Sequence, residues 1–149
     1  MLLAVAVLLG GLSLYLNQDW FAGDNIQIHH RSRPARPGLF RRKQGAAADS
    51  EINPIVFGFD RRLKLTSIKV IPISDIETNK YPHPIWNLIS DSNSVPVRDL
   101  IYGVPIKGMR PTVQGATADP LEPDIKYRLC IEAGAMKAQH DFVPVARTP

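Results

Sequence analysis

The side chains best suited to chemistry at neutral pH are four histidines, His29, His30, His83 and His140, and the one cysteine, Cys130. His29 and His30 adjoin a cationic stretch, which repels a metal ion before imidazole can bind it. His83 stands between Pro82 and Pro84, the setting of a surface loop. His140 precedes Asp141 in a strand-like stretch. Successive strand side chains point to opposite faces, so this pair has poor triad geometry. The chain has no G-x-S-x-G turn to expose a nucleophilic serine. Cys130 has the strand parity of Arg128 and Glu132, not that of Leu129 and Ile131. Arg128 offers a charge but no histidine is placed as base, so Cys130 reads as a small, partly buried residue.

Motif searches add exclusions. A single cysteine rules out an internal disulfide framework and any site built from several thiolates. The chain has no P-loop, dinucleotide fingerprint, EF-hand loop or C-x-x-C-H haem site. Asp91, Asp99, Asp119 and Asp124 are scattered over turn-like stretches without calcium-loop spacing. The expectation is a protein that is not an enzyme, with no cofactor and no metal. A pocket bringing His140, Asp141 and a serine together would reopen catalysis.

The elements that carry these residues divide the 149-residue chain into three parts and a short tail. Residues 1–16 hold no charged side chain and are mostly Leu, Val and Ala. With Tyr15 and Trp20 at the end of the run, residues 1–21 read as a single membrane-spanning helix with an interfacial aromatic belt. The residues taken to form the anchor include Leu2, Val5, Leu8, Leu12, Tyr15 and Trp20. The start lacks Lys and Arg, and no small-x-small site comes after it, which favours a retained anchor over a cleaved signal.

Residues 22–53 read as an extended, proline-containing basic linker. Arg31, Arg33, Arg36, Arg41, Arg42 and Lys43 place six cations between positions 29 and 43 with no acid among them. Without those six, the 18 Lys and Arg fall to 12 against 14 Asp and Glu, so the rest of the chain is net negative. Pro34 and Pro37 disfavour a helix here. Three readings of the arm stay open: anionic lipid head groups, the acidic surface of a neighbouring subunit, or a solvated linker. Nucleic acid ranks last, because no aromatic platform or recognition helix accompanies the charge.

Residues 54–146 read as an all-β domain, with 147–149 as a tail. Ile55–Phe59, Leu63–Ile71, Ile85–Ile89, Val95–Ile106, Tyr127–Ala133 and Ala138–Val145 are strand-like, and Asp60–Arg62 reads as a turn. Short strands at this spacing, with Gly and Pro punctuation, indicate a sandwich or barrel.

One segment carries a family resemblance. Leu121-Glu122-Pro123-Asp124-Ile125-Lys126-Tyr127 resembles the L-x-P-x-x-x-Y segment of fibronectin type III domains. The resemblance implies an immunoglobulin-like β-sandwich over residues 54–146. In it the Tyr127 hydroxyl bonds back to a carbonyl of the preceding connection, and Leu121, Pro123 and a core tryptophan, Trp86, serve as structural residues.

Anchor, arm and small sandwich together describe a non-catalytic accessory subunit of a multisubunit membrane complex, respiratory or photosynthetic for instance. Its partners would be other membrane-protein subunits and anionic lipid. The competing expectation is a tethered, extracytoplasmic ligand-binding module. Arg31, Arg33 and Arg36 beside the span favour a cytoplasmic domain, whereas a sandwich behind an N-terminal anchor favours the other side. The favoured location is a bacterial inner membrane with the domain in the periplasm.

Overall fold

The structure, a computed structural model, describes residues 25–33, 52–91 and 94–147. Among these the chain forms β1 (Ile28–Ser32), β2 (Ile55–Leu63), β3 (Ser67–Pro72), α1 (Ile73–Thr78), β4 (Trp86–Ile89), β5 (Val97–Ile101), β6 (Arg110–Pro111), β7 (Tyr127–Ala133) and β8 (Met136–Phe142). A three-stranded sheet has the order β1-β2-β5, and a five-stranded sheet has the order β6-β4-β3-β7-β8. All the pairings are antiparallel. The molecule is therefore mostly β, built on two sheets.

Side-chain alternation makes these sheets two-faced. In β7 the residues Tyr127, Leu129, Ile131 and Ala133 are buried, and Arg128, Cys130 and Glu132 between them are only partly so. Register carries that apolar face across the larger sheet: Trp86, Val70, Leu129 and His140 align as one inward row, and Leu88, Ile68, Ile131 and Ala138 as the next. The smaller sheet answers with the inward row Leu100, Phe57 and His30. Phe57, Ile68, Val70 and Leu129 are sealed from solvent in the shared core. Phe142 sits between the layers, edge-on to Phe57 at 4.9 Å and stacked on Tyr127 at 5.8 Å.

Several local outcomes differ from the sequence reading. Asp60–Arg62 is no turn. β2 runs through it to Leu63, and the register with β5 shifts between Gly58 and Leu63. Leu63 returns to the core, so the three exposed residues form a bulge-like irregularity and the chain reverses at 64–66. Likewise β1 lies inside residues 22–53, the stretch expected to be a linker. Ile26 is buried and Ile28 packs against the core, and pairing with β2 satisfies backbone groups that would otherwise line an open edge. The small sheet thus draws on residues before the expected boundary at 54.

Pro72 ends β3 and leads into the six-residue helix α1, too short for any periodicity to reveal. The Asp75 carboxylate organises the connection from α1 to β4, accepting hydrogen bonds from the Asn79 side chain and the His83 backbone N–H. Among the described residues no helix is long and apolar enough to cross a membrane. Leu2, Val5, Leu8, Leu12, Tyr15 and Trp20 lie outside the described residues.

Ahead of β7, Pro123 and Asp124 form a turn in which Asp124 takes a positive φ of 63°, a conformation Asp tolerates better than most residues. Leu121 is buried beneath this turn. The Tyr127 hydroxyl closes the loop, accepting a hydrogen bond from the Glu122 backbone N–H at 3.1 Å. The partner is thus an N–H and not the expected carbonyl. Tyr127→Phe keeps the ring and loses this bond, so it should lower the unfolding free energy by about 1 kcal/mol. Leu129→Ala empties a fully buried site and should lower it by about 2–5 kcal/mol. Urea denaturation of both variants checks the ranking; equal effects would show that the corner hydroxyl matters as much as core packing.

Candidate functional site

The chemistry-bearing residues gather where β1 of one sheet meets β8 of the other. The two strands belong to different sheets, so side chains alone connect them here. The alternation Ile26, Ile28 and His30 leading into and along β1 puts all three on its inner face, with the isoleucines against the core and His30 exposed at the rim. β8 likewise sends Met136, Ala138, His140 and Phe142 inward. His30 and His140 therefore occupy the last place of an inward row in their respective sheets.

At that position the two imidazoles meet. His30 Nδ1 lies 2.7 Å from His140 Nε2, a hydrogen-bond distance, with ring centroids 4.9 Å apart. One nitrogen must donate and the other accept, so this contact holds a single proton between the two nitrogens. The Phe142 ring lies 6.0 Å from His30 and forms the apolar floor. Burial holds the His140 pKa below the ordinary histidine range, helped by the neighbouring His30, while Asp141 works weakly against both.

The flanking residues face away. His29 points to the outer side of β1, where its ring rests against Gly58 of β2; a Cβ at Gly58 would collide with that ring. Asp99 of β5 lies on the other side of Gly58 in register. Arg31, and Arg33 just beyond the strand, are exposed, and the Arg33 N–H bonds to the Pro54 carbonyl at 3.0 Å. Arg36, Arg41, Arg42 and Lys43 lie outside the described residues.

Asp141 is held by β7, not by His140. The Arg128 guanidinium grips it with two bonds, Nε to Oδ1 at 2.7 Å and Nη2 to Oδ2 at 3.0 Å, and Lys126 Nζ approaches to 3.8 Å. These cations, Arg128 foremost, hold the Asp141 carboxyl below its usual range. His140 and Asp141 thus face opposite sides of β8 and make no catalytic pair. Cys130 is partly buried on the outer face among Arg128, Lys69 and Glu132, and burial pushes its thiol pKa up. That shift lowers the thiolate fraction and with it the nucleophilicity.

The remaining sequence-selected residues are structural in position. Trp86 is buried in β4 and packs edge-on against Tyr102 at 5.2 Å. The Tyr102 hydroxyl donates to the Asp119 carbonyl at 2.7 Å, and burial pushes its pKa far above the usual tyrosine value. His83 sits on the exposed stretch after α1. Among the described residues no group of three or more His, Cys, Asp or Glu side chains is placed to hold a metal.

Sequence reasoning missed the His30–His140 meeting. The available signal was the inward parity of Ile26-x-Ile28-x-His30 and of Ala138-x-His140-x-Phe142, hidden in the first case by reading the segment as a linker. No family model, curated protein or solved structure matches the chain.

The Arg128–Asp141 pair sets a pH dependence. A carboxyl with a lowered folded pKa adds stability above its unfolded pKa and loses it as pH falls through the folded value. Solvent at this sheet edge screens the pair, so Asp141→Asn should lower stability by about 0.5–1 kcal/mol at neutral pH. The difference from the parent should shrink as pH falls below the ordinary aspartate value of about 3.9 and through the lowered folded one. Chemical denaturation of both proteins across that range checks it, and a difference that persists at acid pH refutes the ion-pair origin.

Proposed function

We propose that this chain is a non-catalytic accessory subunit, tethered by residues 1–21 and docked on a multisubunit membrane complex through its basic arm and β domain. The observation that carries the reading is the position of β1. It is an edge strand of the small sheet, it presents Arg31, and Arg33 follows it directly into the stretch holding Arg36, Arg41, Arg42 and Lys43. A cationic arm that leaves from an exposed sheet edge is placed to lie along an acidic neighbour or anionic head groups while the domain rests beside it.

The domain's plan supports a fibronectin type III-like assignment. First, second and fifth strands make one sheet, and third, fourth and the last two make most of the other, with a tyrosine corner at the start of the penultimate strand. Domains of this kind commonly work by contact through loops and strand edges. Tyr81, 79% exposed on the loop after α1, and Val113, 68% exposed, add apolar contact area of the sort that interfaces favour. Orientation across a bacterial inner membrane, with the domain in the periplasm, belongs to the same proposal.

A mild-detergent purification of the full chain from its native membrane tests it. Membrane proteins should co-purify in fixed ratio through moderate salt. A chain with Arg31, Arg33 and Arg36 changed to Ala should lose most of that retention, since each cation near an acidic surface contributes about 1 kcal/mol. A chain that emerges alone, or whose partners are indifferent to the arm, overturns the proposal and favours a ligand-binding module.

A further inference from the structure

The contact between His30 and His140 joins the first and last strands across the open flank of the two sheets, and the proposed docking role makes no use of it. We propose that this pair is a proton-operated clasp for β1: a proton shared between the rings, one of them neutral, holds the strand's outer end against β8, and protonation of both rings loosens it.

A separation of 2.7 Å between Nδ1 and Nε2 is stable when one ring donates and the other accepts. One added proton leaves an imidazolium that still donates to a neutral imidazole; only when both rings are protonated do both contact nitrogens become donors, and attraction then turns to repulsion at contact distance. The groups around the pair do little to offset this. Phe57 of β2, Leu129 of β7 and Phe142 of β8 are apolar, and the Tyr127 hydroxyl of β7 is engaged by the Glu122 N–H. On β1 itself Arg31 adds positive charge to the strand, and Asp99 of β5 lies with the His29 ring on the outer side of Gly58. On β8, Asp141 turns to the opposite face of the strand, where Arg128 and Lys126 already occupy it.

Position makes the response local. β1 is an edge strand, joined by backbone bonds to β2 alone, and its flank admits solvent and therefore protons. The lowered His140 pKa fits a docked state in which the His140 ring stays neutral. Such a histidine binds protons more readily once released, so docking weakens as pH falls below the ordinary histidine range of about 6.5. A metal-binding reading is less well supported. Two Zn–N bonds of about 2.0–2.1 Å at a tetrahedral angle separate the nitrogens by about 3.3 Å, and no third ligand stands with them among the described residues.

Hydrogen exchange of the full chain, corrected for intrinsic rates, tests the clasp at about pH 7.5 and about pH 5. Protection in Ile28–Ser32 should drop several-fold at the lower pH, while Tyr127–Ala133 keeps its protection. His140→Gln, which still offers a hydrogen bond but takes up no proton in this range, should abolish that pH response. Unchanged β1 protection, an undiminished response in His140→Gln, or equal loss in β1 and β7 overturns the proposal. So does a response that disappears with EDTA, which would assign the pair to a metal. Should His140→Gln fail to fold, an NMR titration of the parent protein decides. Coincident midpoints for the His140 ring and the β1 amides support the clasp, and imidazoles that titrate without moving those amides refute it.

Discussion

Two sheets of unequal width hide their apolar faces from water by pressing them together, and nearly every feature of this domain derives from that requirement. β7 lies at the centre of the solution. It pairs with β3 on one side and β8 on the other, and its inward residues Tyr127, Leu129 and Ile131 meet Phe57, Phe142 and Ile68 in one continuous core. Once those rows are aligned, a one-residue slip of any strand would expose its apolar set, so register is fixed by the core. The bulge in β2 is part of the same solution, because it lets Leu63 rejoin the core after three exposed residues.

A sandwich of two open sheets also has flanks, and here they are closed with polar chemistry. The β1–β8 flank ends in a histidine pair instead of an aliphatic contact, and the outer face of β8 is braced by the Arg128–Asp141 grip. Polar closure at the rim does two things. It avoids a greasy edge that would recruit another strand, and it leaves the first strand less firmly held than the centre of the sheet. The strand held this way carries the first of the arm's six cations, Arg31, and leads toward the other five. That is why the site and the proposed docking surface share an element.

How much of this could be read from the chain depends on the distance over which each signal acts. Tyr127–Ala133 declares itself through strict alternation, and Pro123 with Tyr127 marks the corner, because both signals are local. Asp60–Arg62 misleads for the same reason: three consecutive charged residues look like a reversal until Leu63 is seen to be buried. The strand at Ile28–Ser32 is obscured by its own His and Arg side chains, which are compatible with a strand only because β2 offers it an edge. The His30–His140 contact spans 110 residues of sequence and two sheets. No local pattern encodes such a meeting, and the inward parity of each histidine is visible only after its strand is recognised. Cys130 is legible because parity alone places it.

The bridge between Ile52 and Ala146, together with β1 and β8 meeting at the flank, ties the beginning of the domain to its end. These contacts join distant parts of the chain, so the domain belongs to the slow-folding class of β topologies. During synthesis the early strands β1 and β2 emerge with Ile55, Phe57 and Phe59 facing nothing. They stay uncovered until β7 and β8 have cleared the ribosome, about a hundred residues after β1 emerges, which at about 5–20 residues per second lasts several seconds. A nascent chain of this design carries an unpaired apolar face through that interval, and the rate of its synthesis sets how long that face stays open to other chains.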